Sequence, residues 1–169
     1  MTRTVVIRRL ISVAGVVVMT AASVFALSVP VASATTKYTP ASVTPASASR
    51  SVNVTYINQT DCNLILVYHD LSHGEWTVEP PAIIGKRGGN GSWASESSGI
   101  FTGTEGFATY QAHDCSDDSH IGKNTNLRWD SPWSGSANYS ASADSPFAVN
   151  YNGTPDSNAG VIFTAVITH

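Results

Sequence analysis

The residues of this chain that could do chemistry fall into two sets. The first holds the histidines and carboxylates. His69-Asp70 and His113-Asp114 are adjacent pairs, and His73, His120 and His169 complete the histidines. A nucleophilic enzyme needs a serine or cysteine beside an oriented base. Neighbours along a strand point to opposite faces, so a His-Asp step does not build a base with its orienting partner. No serine stands in a G-x-S-x-G elbow. Glu75, Glu79, Glu96 and Glu105 are carboxylates of the kind a glycosidase pairs. Solvated surface charge is the simpler account of most of them. No catalytic constellation emerges, and a non-enzymatic role is expected. The second set is aromatic. Trp129-Asp130-Ser131-Pro132-Trp133 puts two indoles around an Asp and a Pro, where an alternating run gives way to a turn. Indole rings are favoured where one side is apolar and the other wet. Such a cluster either plugs the end of a β-sandwich or presses into something amphiphilic.

The sulfur chemistry is limited. Cys62 and Cys115 are the two cysteines. In an exported chain an even count suggests a disulfide. The bridge would close a loop of about fifty residues and contribute about 2–4 kcal/mol; two thiols too far apart to join are the alternative. Cys115 with His113 and His120 lacks the paired spacing of a structural zinc site. No metal and no cofactor is expected.

The elements that must position these residues begin after a leader. Arg3, Arg8 and Arg9 precede an apolar run from Leu10 to Ala26, and Ala32-Ser33-Ala34 follows as a small-x-small step. This reads as a cleaved signal peptide over residues 1–34 and predicts a secreted, extracellular protein. Residues 35–49 are Thr, Pro, Ala and Ser with few large apolar side chains, which reads as a flexible stalk. Residues 50–169 are one domain's worth of chain. Three of the nine Lys and Arg lie in the leader and none of the twelve Asp and Glu do, so removing it leaves six basic against twelve acidic side chains. Nucleic acid, which asks for a basic face, is not an expected partner. A membrane would have to be recognised by headgroup chemistry and apolar contact, not by bulk charge.

Within residues 50–169 the patterning is β throughout. Residues 52–58 (VNVTYIN) alternate apolar and polar with period two. Gln59-Thr60-Asp61 reads as a turn, and residues 63–69 (NLILVYH) as a strand buried on both faces for part of its length, the two together forming a hairpin. Residues 73–79 form a short strand halted by Pro80-Pro81. Residues 86–91 (KRGGNG) read as an exposed turn. Further strands are expected over 92–96, 105–111, 126–129, 147–151 and 160–166, with a turn-rich link at 152–158. No stretch holds a 3.6-residue period. Eight or nine short strands between Gly, Pro, Asn and Ser turns predict an all-β sandwich or barrel. Alternation turns Trp93 and Trp129 toward the core, while Trp133, after Pro132 in a turn, is the better candidate for exposure. Asn-x-Ser/Thr sequons at Asn53, Asn58, Asn90, Asn138 and Asn152 are expected by chance in a chain this rich in those residues.

The domain resembles the aegerolysin family, in its bacterial, crystal-protein-related branch. The resemblance runs over nearly all of residues 51–167. Its landmarks are the opening strand 52–60, the segment Gly74-Glu75-Trp76-Thr77-Val78-Glu79-Pro80-Pro81, and Ser95 to Gly106. They continue with Trp129-Asp130-Ser131-Pro132-Trp133 and Val149-Asn150-Tyr151-Asn152-Gly153. It implies a compact antiparallel β-sandwich like that of actinoporin-type proteins. It further implies binding of membrane lipid of the sphingolipid type, sometimes with sterol, and lysis of cells together with a larger pore-forming partner. Glu105 matches an acidic position tied to lipid recognition in the family. Trp129 and Trp133 match its W-D-x-P-W segment near the lipid-facing loops, and Trp76 lies close to a family aromatic position. Glu105 bonding the backbone of its own turn is the local alternative. The chain departs from many fungal members at Ser131, where they carry cysteine, and at Ser136, where it lacks a basic residue. A secreted carbohydrate-binding sandwich using the same aromatics, or a structural or competition protein acting through a protein partner, are the other function classes.

Overall fold

A computed structural model of the chain describes residues 50–168. The expected signal peptide and stalk lie outside the described residues.

Ten strands form two five-stranded sheets. They are β1 (Ser51–Asn58), β2 (Asn63–His73), β3 (Glu75–Val78), β4 (Ile83–Ile84), β5 (Gly89–Glu96), β6 (Thr104–His113), β7 (Asn124–Ser131), β8 (Asn138–Ala143), β9 (Phe147–Gly153) and β10 (Asn158–Ile167). The first sheet runs β3-β5-β1-β10-β9 and the second β4-β2-β6-β7-β8. The expected β-sandwich is therefore the fold. The pairings are antiparallel except that β1 and β10 run side by side in parallel. The helical content of the described residues is one 3₁₀ turn at Asp118–His120.

Period-two alternation is the cause of this architecture. In β6 every second residue, from Thr104 to Ala112, is buried, and β7 buries Thr125, Leu127, Trp129 and Ser131. The two inner faces meet in a core led by Trp93, Trp129, Tyr56, Tyr110 and Phe163. Trp93 packs against Tyr110 and Trp129, at ring-centre distances of 6.1 and 6.0 Å. Aromatic side chains bury a large apolar area each, which lets a chain with few leucines and isoleucines fill a sandwich.

Three sequence expectations need correction. β1 and β2 are not a hairpin, because both edges of β1 are already occupied, by β5 and by β10. The chain crosses instead to the other sheet, and buried Asn58 makes the corner. Its Oδ1 accepts from Thr60 N at 3.0 Å, and its Nδ2 donates to the carbonyls of Cys62 at 2.7 Å and Gly85 at 3.0 Å. That burial also removes Asn58 as a glycan acceptor. β2 is not buried on both faces: the outer face of its sheet is open, a bulge falls between Leu66 and Tyr68, and Val67 and Tyr68 stand in solvent. Residues 89–91 (GNG) belong to β5, leaving the turn at Lys86–Gly88. There Arg87 and Gly88 both take positive φ, 59° and 100°.

Cys62 and Cys115 are joined, as expected. The bridge ties the β1–β2 corner to the connection after β6. Next to it His120 Nδ1 and Asp61 Oδ1 lie 2.8 Å apart, and His113 bonds Gln111. The sulfur and imidazole groups at this corner thus serve the structure. Replacing both cysteines by alanine is expected to lower unfolding free energy by about 2–4 kcal/mol. Urea unfolding checks this, and an unchanged midpoint and slope would contradict it.

Candidate functional site

The β5–β6 and β7–β8 connections lie at one end of the sandwich, and their side chains form a lip. Ile100 and Phe101 come from the first and Trp133 from the second. They are among the most exposed large apolar residues described, at 81, 72 and 54 %. The Phe101 and Trp133 rings meet edge to face, 5.2 Å between centres. Phe101 holds a positive φ of 60°, an uncommon conformation for a bulky residue and one that needs support from its surroundings. Part of that support is Thr102, whose Oγ1 accepts from Gly99 N at 2.9 Å and donates to Gly99 O at 2.7 Å. Arg50 fixes the other loop: its Nε and Nη2 donate to the Trp133 carbonyl at 3.1 and 3.0 Å. The two loops touch at Gly103, where a Cβ would collide with the carbonyl of Ser131 and approach Pro132 Cα to 2.9 Å. Only glycine permits that approach.

Below the lip is a cleft of about 350 Å³ whose walls include Phe101, Trp133, His73, Glu105 and Asp130. The last three are side by side in register across β2, β6 and β7: His73 faces Glu105, and Glu105 faces Asp130. Glu105 pairs with Arg128 of β7, not with the backbone of its turn. Among the described residues no Lys or Arg lies at ion-pair distance from Asp130. Burial, with the negative charge of Glu105 adding to it, holds the Asp130 carboxyl above its ordinary range, and the opposing pull of Arg128 and His73 does not cancel this.

A carboxyl raised on folding favours the folded state fully below its unfolded value of about 4, and that contribution is lost as pH rises through the folded value. Asp130→Asn removes the titration. The melting temperature of the variant relative to wild type is therefore expected to shift in the variant's favour between about pH 4 and neutrality. A difference independent of pH would contradict this electrostatic account.

The four site residues expected from sequence separate. Trp133 and Glu105 line one cleft. Trp76 is half-buried on β3, against His69 at 5.6 Å and edge-on to Trp129 at 5.8 Å. Trp129 is wholly buried, its Nε1 donating to Ser95 Oγ at 3.0 Å. An indole enclosed between two sheets cannot touch a ligand outside them, so Trp129 is corrected from a contact to a support beneath the cleft. The same Ser95 Oγ accepts from Thr104 Oγ1 at 2.7 Å, which ties β5 of one sheet to β6 and β7 of the other under the lip. Sequence reasoning missed Ile100, Phe101, Asp130 and Arg50. A signal was present for the first two. Large apolar residues flanked by Ser-Ser-Gly and Thr-Gly-Thr sit in turn-forming chain and mark an exposed apolar patch.

No protein-family model matches the chain, and no curated protein matches it. Solved structures do match. The crystal structure of a lipid binding protein, Nakanori, superposes with a TM-score of 0.56 at 14 % identity, over 69 % of this chain and 71 % of that one. At that identity the likeness is one of fold.

Proposed function

We propose that this is a non-enzymatic, membrane-lipid-binding sandwich of aegerolysin type that acts outside the cell. One observation carries the reading: the Ile100–Phe101–Trp133 lip stands over a cleft walled by Glu105 and Asp130. An apolar rim above a polar cleft matches the order of groups met at a bilayer surface, where rings settle at the acyl boundary and polar groups face the headgroups. Each lip side chain contributes about 1.5–3 kcal/mol if fully buried, part of which offsets the cost of association. The cleft is acidic, so selection rests on a headgroup's hydrogen-bond donors and not on lipid charge. The fold it shares with a lipid binding protein supports the reading. The resemblance of its landmarks to the aegerolysins extends it to sphingolipid-type lipid with sterol, and to lysis alongside a larger pore-forming partner. Trp76, packed edge-on against Trp129, contributes to the stability of the sandwich beneath the site.

Vesicle sedimentation tests this. Binding is expected to phosphatidylcholine vesicles carrying sphingolipid and sterol, with no gain from added anionic lipid. Binding that requires anionic lipid, or none to any vesicle, would overturn it.

A further inference from the structure

The outer face of the β2-β6-β7-β8 sheet leads directly away from the cleft. Cross-strand partners share a face, so the registers define its rows. His73, Glu105 and Asp130 form the row in the cleft. The next row places Phe107 beside Arg128, and the one beyond places Tyr68, Thr109, Asn126 and Ser142 side by side. Rows two residues apart are separated by about 7 Å along the strands, so the three rows cover the length of a short oligosaccharide.

We propose that this face binds neutral sugar, so that the lipid recognised by the protein is a glycolipid whose uncharged saccharide lies across Tyr68, Thr109 and Asn126 while its apolar part meets the lip. The inference rests on the lipid-binding reading above and names the headgroup class. Three features carry it. Tyr68 is 58 % exposed and its ring lies 5.2 Å from the Phe107 ring, an open aromatic surface for the C–H face of a sugar. Beside it the amide of Asn126 is held in a fixed orientation. Thr109 Oγ1 donates to its Oδ1 at 2.9 Å, and its Nδ2 donates to Ser142 Oγ at 3.3 Å. Hydroxyls and amides that both donate and accept match sugar hydroxyls, which do the same. The charge pattern is the third feature. Arg128, the cation of the middle row, is already paired with Glu105, so among the described residues these three rows hold no unpaired Lys or Arg for a phosphate or sulfate headgroup. The carboxylates of Glu105 and Asp130 at its lower end accept from sugar hydroxyls.

The test uses vesicles of phosphatidylcholine, sphingomyelin and sterol, alone or with neutral glycosylceramides bearing one or two sugars. Glycosylceramide is expected to raise affinity about tenfold. Tyr68→Ala and Asn126→Ala are each expected to remove that gain while leaving affinity for the sugar-free vesicles unchanged; Trp133→Ala is expected to weaken binding to both. Both face variants are at solvent-exposed positions, and near-UV circular dichroism confirms their fold. Binding to sugar-free vesicles with no gain from glycosylceramide overturns the proposal and leaves the lipid reading intact. A gain that survives both face variants overturns it equally. Failure to bind either vesicle overturns the lipid reading itself.

Discussion

Trp133→Ala is expected to lower affinity for sphingolipid-containing vesicles about tenfold to a hundredfold while the melting temperature hardly moves. Trp133 is 54 % exposed and its ring stands beside that of Phe101, itself 72 % exposed. It therefore loses little packing when truncated, and substitutions at such positions usually change stability by less than about 0.5 kcal/mol. In a bilayer interface the same ring would be largely dehydrated. Its burial contributes on the order of 1–3 kcal/mol, and about 1.4 kcal/mol corresponds to tenfold in affinity. Vesicle sedimentation and thermal melting on the same preparation separate the two quantities. Early melting with undiminished binding of the folded protein would make Trp133 a structural residue.

Trp129→Ala is expected to do the reverse. The indole is inaccessible, packs against Trp93 and Trp76, and donates to Ser95. Removing it leaves a cavity between the sheets and takes one partner from Ser95, which also accepts from Thr104. Truncating a buried Trp costs about 3–5 kcal/mol, a large fraction of the 5–15 kcal/mol that holds a typical domain. The urea midpoint should fall accordingly, while molecules that remain folded keep their lip and their affinity. A loss below about 1 kcal/mol would mean that the two layers do not depend on this ring.

These two tryptophans, four residues apart, show what the sequence made legible. Alternation separated them correctly: Trp129 falls on an inward position of β7, and Trp133 follows Pro132 beyond the strand's end. The same period-two signal located most strands. It failed where the signal is weak. β8 alternates Asn and Ser outward with Tyr139 and two alanines inward, and alanine is too small to mark an apolar face; β4 is two residues long. The β1–β2 corner reads as a hairpin in sequence because a turn's composition does not reveal that both edges of the preceding strand are taken by distant partners. Half of the site was hidden for a related reason. Phe101 meets Trp133, Arg50 meets the Trp133 carbonyl, and Glu105 meets Asp130 through contacts between segments far apart in the chain. Local pattern cannot encode such contacts. The disulfide was legible because two cysteines allow one pairing.

On binding, the lip is expected to enter the bilayer interface. The most direct measurement is quenching of tryptophan emission by brominated lipids, comparing wild type with Trp133→Phe on vesicles both proteins bind. Trp93 and Trp129 are buried and Trp76 is half-buried against the core, so Trp133 should supply nearly all of the quenchable emission. Strong quenching is expected in bound wild type, and its near loss in the bound Trp133→Phe variant. Equal quenching of the two, or none in bound wild type, would contradict it.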